Sequence, residues 1–441
     1  MPASAFDSAI YRDLFGDAEM ARLFTDGAET RAMLLVEGAL ARAQGDLGMI
    51  PAESADFIHK ASMEVQIDPA GLAKATGVNA VPVPALVAAF RSALEAPDHA
   101  QYVHWGATSQ DIMDTALVLR LRQVLTLAED RLASVLDGLA TLAEQHADTP
   151  MAARTYGQAA TPTSFGEVAA GWGRPLLRHR ERLAGLRPRL LQVSLAGAAG
   201  TLAAMGDKGP ALRARLAEAL DLADPGASWH PARDSVAELS SWAAALTSSL
   251  GKMGEDLILL TQTGIGEVRL GSGGGSSTLP QKQNPVQPSL LVALARHAVA
   301  LDSAIQGAAL HRQQRDGAAW FVEWLNLPQL CIGLGRALDV AGELTHSLQP
   351  RPERMRAGLD DGLGLIHAEA LSFALTDRMP RPDAQAAVKD LCLEAQESGT
   401  PLPELARGRW PDTDWAATLL AEAQMGTAPA DARSFARRVR G

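Results

Sequence analysis

The chain has 441 residues, 47% hydrophobic but only 5% aromatic, and a formal net charge of −11 at neutral pH. Such a length suits two or three domains or one long helical body, and the Ala and Leu bias favours helix over sheet. The negative balance argues against a nucleic-acid partner or an anionic membrane surface, whereas an anionic small substrate needs only local positive charge.

Two cysteines, Cys331 and Cys392, give no disulfide framework and no zinc spacing, and their apolar helical surroundings point to buried thiols. The first residues lack a basic segment ahead of an apolar one. The most lipid-like run, residues 190–206, contains Gln192, Ser194, Thr201 and three glycines, a poor membrane span. A soluble cytoplasmic protein with no membrane partner is expected.

From the N-terminus, residues 31–47 read as an amphipathic helix, and residues 52–62 as another behind Pro51. Pro82 and Pro84 break the chain before a helix that runs through Leu94. Asp111 is placed to cap a helix from Ile112, whose stripe Leu117, Leu121, Val124, Ala128, Leu132 and Val135 repeats every three or four residues. Residues 151–163 read as a polar connection, with no hairpin signal. A helix follows from Ser164 to about Leu183, kinked at Pro175. The longest pattern starts at Asp234 and keeps a heptad-like seam through Leu260. Asn284 and Pro285 start another helix, and a further one covers roughly residues 321–348. Three helical domains are expected, 1–110, 111–350 and 351–441, the second a long-helix bundle whose Ala and Leu faces also pack between chains.

Six glycines from Gly264 to Gly275 interrupt these helices, ahead of a polar cluster: Ser276, Ser277, Thr278, Gln281, Lys282, Gln283 and Asn284. Composition allows two readings, a solvated connector or a lid over an anionic ligand. Two more polar stretches, 104–111 and 154–163, also lie at helix ends, so one site could draw on all three. No metal-ligand spacing is present, and the glycine run lacks the ending of a phosphate-binding loop. His104 sits in a stretch too polar for a core, with a binding role or a hydrogen-bonded structural role open. Lys282 is a solvated cation or a site cation, and Asn284 a helix cap or a carboxylate ligand. Arg233 and Arg315 each adjoin an aspartate, Asp234 and Asp316, the usual fate of such doublets being a local pair.

The stretch GSSTLPQKQNP, residues 275–285, resembles the loop of the fumarase/aspartase superfamily, with Leu279 in place of the usual Met. HWGATSQDIMDTA (104–116), RTYGQAATPTSFG (154–166) and SLAGAAGT (194–201) match further segments of that superfamily, in order. The resemblance implies an all-α fold of three helical domains, a homotetramer built by the central bundle, and sites shared by three subunits. It implies Ser276 as the proton-transfer residue, Lys282 and Asn284 as holders of the carboxylate that gathers charge, and Thr108, Ser109, Thr155 and Gln158 as substrate-binding positions. His104 matches a histidine of one branch.

Most lyases of the superfamily have His where this chain has Tyr156, and Glu where it has Ser289. Loss of that pair at both ends resembles the carboxymuconate cycloisomerase branch. So do WHPARD (229–234), Gly266-Glu267-Val268 and AAWFVEWLNLPQL (318–330). Gln281 and Gln283 depart from the His and Arg of that branch. The implied reaction is reversible lactone formation from a small tricarboxylate in protocatechuate breakdown, with no cofactor or metal. Lys282, Arg233 and Arg315 are the candidates to offset three carboxylates. An adenylosuccinate-lyase-like activity and a non-catalytic helical protein are the alternatives.

Overall fold

The computed structural model describes residues 4–271, 274, 275, 279, 282–359 and 362–441. The fold is all-α, as expected, with two small β pairs among the described residues. Asp26–Asp46 (α1) starts where the Thr25 hydroxyl accepts from the Ala28 amide. It packs on Ala52–Glu64 (α2) along a glycine seam. A Cβ at Gly38 would overlap the Ser62 hydroxyl, and one at Gly45 would overlap the Ala55 methyl. Val83–Ala93 (α3) follows the Pro82 break. Ser109–Gln145 (α4) is 37 residues long, so its rod spans about 55 Å.

After α4 the structure departs from expectation. Pro150–Thr155 (β1) and Gln158–Ser164 (β2) form an antiparallel hairpin, with Thr155 opposite Gln158 and Pro150 opposite Ser164. The polar connection expected there is therefore a pair of strands. Its turn is Tyr156-Gly157, with φ of +52° and +76°. Two positive φ values are what a two-residue hairpin turn needs. Asn or Asp usually fills the first place, so tyrosine hid the signal.

Phe165–Leu190 (α5) continues through Pro175 beyond its expected end. Gly209–Leu220 (α6) ends at Asp221 in the left-handed region. Asp234–Leu260 (α7) has the length its seam implied, and Val286–Ala308 (α8) begins just past Asn284-Pro285. Gly317–Ser347 (α9) runs through Pro328. Among the shorter C-terminal helices, Arg381–Ser398 (α10) stops at Gly399, whose φ of +71° ends the helix. Cys331 on α9 is buried and its thiol is pushed up to about 12 by burial, while Cys392 on α10 is half-buried.

Two compact units result. Met1–Asp130, His179–Ser248 and Leu294–Ala337 form the first; Arg131–Arg178, Ser249–Ala293 and Leu338–Gly441 form the second. The core of the first gathers Val36 and Leu40 of α1, Phe90 of α3, Ile112 of α4, Leu216 of α6 and Trp320 of α9. In the second, Leu371, Leu391, Leu402 and Trp415 pack into a satellite core, with the Trp415 indole N–H donating to the Trp410 carbonyl at 2.9 Å.

Arg233 is among the largest fully buried side chains and lies in the first unit. Its side chain is 1% exposed and sits between Asp114 and Glu323. It donates to Asp114 at 2.8 and 3.1 Å and to Glu323 at 3.0 and 2.6 Å, and its guanidinium lies 4.8 Å from the Trp229 ring centroid. Burial works against its charge, but the two carboxylates outweigh that and hold it above the usual arginine value. Burial also pushes the Glu323 carboxyl up.

Arg233→Met leaves two buried carboxylates without a counter-charge. It should lower stability by about 3–5 kcal/mol in urea denaturation. Protonation relieves Glu323, whose pKa is raised, so the deficit should grow as pH rises above the ordinary glutamate value of about 4.3. A loss below about 1 kcal/mol would mean the triad does not hold this core.

Candidate active site

The first two turns of α4 carry Gln110, Asp111, Asp114 and Thr115, all buried. Asp111 is the third residue of the helix rather than its cap. It caps by reaching back, Oδ2 accepting from the Thr108 amide at 2.9 Å. The same oxygen accepts from the Gly197 amide at 3.0 Å; Oδ1 accepts from the Ala196 amide at 2.8 Å and lies 2.9 Å from His230 Nε2. Gly197 has φ of +73°, which glycine adopts readily and which turns the chain toward the carboxylate. Thr115 and Ser194 exchange two bonds, hydroxyl to carbonyl at 3.0 Å and amide to hydroxyl at 2.8 Å. Gln110 donates to Asp114 and to the His230 carbonyl, and accepts from Arg315 Nε at 2.6 Å.

The polar residues of HWGATSQDIMDTA therefore divide. Gln110, Asp111, Asp114 and Thr115 face inward and tie residues 194–197, 230–233 and 315 to one helix end. His104, Thr108 and Ser109 are half-buried ahead of it. Two expectations change. Arg233 and Arg315 pair with neither adjacent aspartate; they bond Asp114, Glu323 and Gln110, while Asp316 accepts from Arg312. Arg233 also has no open face, so its expected contact with substrate gives way to an internal role.

His104 has φ of +63° and lies with Nδ1 2.7 Å from Glu37 Oε1 on α1. Burial pushes its pKa down. The hydrogen bond and charge of Glu37, aided by Asp111, more than reverse this, while Arg91 opposes them, and the net value is above that of an ordinary histidine. Neighbouring carbonyls are gripped as well. Arg91 of α3 donates to that of Val103 at 2.8 Å, and Gln44 of α1 to that of Trp105 at 2.6 Å. Glu37 and Gln44 were missed in the sequence. Their signal was two polar residues seven apart on the apolar face of an amphipathic helix.

The other expected residues lie in the second unit. Thr155 and Gln158 flank the hairpin turn and are exposed, as is Tyr156. The hairpin is anchored through Arg154, which bonds the buried Glu267 carboxylate at 2.7 and 2.8 Å. Lys282 and Asn284 line a cavity of about 520 Å³ with Arg269, Arg351, Thr261 and Gln262. Asn284 pairs with Gly274 through both backbone groups, at 3.1 and 2.8 Å. Arg269 and Arg351 were not singled out in the sequence; they come together there only because Val268 and Arg269 pair with Pro350 and Gln349. Ser276 lies outside the described residues, as do Ser277, Thr278 and Gln281. Another cavity of about 480 Å³, in the first unit, is lined by none of the expected site residues. Among the described residues no group of three or more His, Cys, Asp or Glu is placed to hold a metal ion.

Asp111→Ala strips acceptors from two buried amides. It should destabilise the protein by roughly 2–4 kcal/mol and speed amide exchange across residues 194–201. Unchanged exchange at Ala196 and Gly197 would remove Asp111 from this role.

A family profile described as lyase matches residues 16–300. The 3-carboxy-cis,cis-muconate cycloisomerase of Pseudomonas aeruginosa is 43% identical over 391 residues, covering 87% of this chain and 84% of that protein. The enzyme of the same name from Bradyrhizobium diazoefficiens is 39% identical over 388 residues, covering 87% and 86%. The crystal structure of the 3-carboxy-cis,cis-muconate lactonizing enzyme from Pseudomonas putida superposes with a TM-score of 0.92 at 34% identity, covering 98% of this chain and all of that one. With the matched helices and the segments at 104–116, 154–166 and 275–285, these findings place the chain in the lyase family of the fumarase/aspartase superfamily.

Proposed function

We propose that this protein is a 3-carboxy-cis,cis-muconate cycloisomerase, acting on the carboxymuconate of protocatechuate breakdown in the cytoplasm. Its likeness to such enzymes over most of both chains carries the reading. One substrate carboxylate adds through oxygen to a carbon of a double bond, and a proton is delivered to the neighbouring carbon, next to another carboxylate. The product is a carboxymuconolactone. Run backwards, the reaction is an elimination with a carboxylate leaving group, which is the chemistry of the lyase scaffold.

In either direction charge gathers on the carboxylate beside the carbon that gains or loses the proton. Lys282 and Asn284 are the proposed holders of that carboxylate. The cavity they line with Arg269 and Arg351 supports this, since a trianion needs several fixed cations. Ser276 is the proposed proton-transfer residue. A serine hydroxyl is a weak base at neutral pH, so it needs nearby positive charge to work. Thr108, Ser109, His104 and Arg315 are proposed to bind substrate from one side, and Thr155 and Gln158 from the hairpin.

A homotetramer is proposed to assemble the site from three chains. Exposed apolar side chains on the long helices, Val299 of α8 and Leu325 of α9, support burial against other copies, and the exposed hairpin supports a contribution to a neighbour's site. No cofactor enters the proposed reaction.

Ultraviolet monitoring of carboxymuconate consumption tests the activity. Wild type should turn over the substrate, and Ser276→Ala should lower kcat by about 10²–10⁴. No turnover by wild type overturns the function, and turnover of adenylosuccinate instead would move the protein to the C–N lyases. Unchanged turnover in Ser276→Ala removes that residue from its role.

A further inference from the structure

Glu37 is a carboxylate in an apolar place. It is 2% exposed on α1, between Val36 and Gly38, and its neighbours along the helix belong to the core of the first unit. Oε1 takes the hydrogen bond from His104; Oε2 accepts none from the described residues. A carboxylate can only accept, so Nδ1 of His104 carries a proton, and Nε2 is left for another partner. The imidazole is 19% exposed, so Nε2 is not sealed in the core. Gln44, seven residues on, fixes the Trp105 carbonyl, and Arg91 fixes that of Val103. The backbone on both sides of His104 is thus held without Glu37, at a residue whose φ is positive.

A neutral glutamine could hold the ring as well. What glutamine cannot supply is charge, and a buried charge with a half-satisfied carboxylate is an expensive way to orient one side chain. We propose that Glu37 is a positioning residue that keeps His104 as an imidazolium, so that Nε2–H serves as a cationic donor to a substrate carboxylate. The role of His104 toward a carboxylate rests on the proposed function; the effect of Glu37 on His104 does not. The charged groups facing the ring are Glu37 from α1, Asp111 from α4 and Arg91 from α3. The two carboxylates outweigh the guanidinium, in keeping with the raised pKa of the ring. Because that pKa is raised, the cation and its donor persist to higher pH than in an ordinary histidine and are lost as pH climbs through it.

Glu37→Gln separates charge from shape. In the full-length protein, exchange of the imidazole C2 hydrogen, followed by mass spectrometry across pH, reports the titration of His104 without any substrate. The wild-type midpoint should lie above the ordinary value of about 6.5, and Glu37→Gln should bring it down by about one pH unit or more. Gln44→Met removes a grip on the same segment but no charge, and should leave the midpoint where it was. Glu37→Asp keeps the charge at shorter reach and should retain part of the shift, which decides the matter if the glutamine variant does not fold.

With carboxymuconate as substrate, Glu37→Gln should raise KM about tenfold near neutral pH, with kcat little changed. The gap should close toward about pH 5.5, where the variant's imidazole is protonated again. His104→Gln should keep its KM loss at about pH 5.5, since it has no ring to protonate. An unchanged midpoint overturns the proposal, as does a KM rise that acid does not repair. If wild type consumes no carboxymuconate, the proposed function fails, and the exchange midpoint still decides what Glu37 does to His104.

Discussion

One carboxylate organises the first unit. Asp111 has no exposed surface and takes the amides of Thr108, Ala196 and Gly197 together with His230. Each bond alone is worth little net, because water would serve the same donors in the unfolded chain. Their joint effect is positional. The start of a 37-residue helix, a glycine turn some eighty-five residues later and the segment before α7 have one arrangement in which all of these donors are satisfied. Asp114 repeats the device one turn along, with Arg233 and Glu323. The half-buried His104, Thr108 and Ser109 are ordered as a consequence, since the backbone on which they stand ends in the capped turn.

The helices were legible because their apolar residues recur at three and four, and tertiary packing uses the face that the periodicity marks. Asp234–Leu260 and Val286–Ala308 begin at or beside the expected residues for that reason. The hairpin was not legible. Its turn puts tyrosine where asparagine is the usual cue, and its strands are short and half-exposed. Charge pairing failed in a different way. Arg233 and Arg315 each adjoin an aspartate, but adjacent side chains on a helix or turn point apart. Their partners lie some 90 to 205 positions away in the chain, a distance at which local sequence carries no information.

The motif at 104–116 shows how a family resemblance and a physical reading divide the work. Resemblance named the stretch, but it could not separate residues that bind from residues that hold. Burial sorts the stretch: Gln110, Asp111, Asp114 and Thr115 point into the unit and are bonded there, whereas His104, Thr108 and Ser109 are half-buried. The positive side of the site was only partly legible. Lys282 was visible beside the glycine run, whereas Arg269 and Arg351 reach the same cavity through a two-residue strand pair.

Tyr156 and Ser289 stand where most of the superfamily has a histidine and the glutamate that orients it. The structure gives both a local account. Tyr156 forms the tip of the hairpin with its ring in solvent, and the Ser289 hydroxyl donates to the Pro285 carbonyl in the first turn of α8. A hydroxyl spent on its own helix cannot orient a base as a carboxylate does. The chain does contain a histidine held by a buried glutamate, His104 with Glu37, built from segments of the first unit. An addition whose nucleophile is the substrate's own carboxylate needs no protein base to activate water or an amine. It needs cations that pin three carboxylates and one group to move a proton. The proposed imidazolium at His104 would suit the first requirement, and on that reading the usual histidine and glutamate have no task left in the reaction.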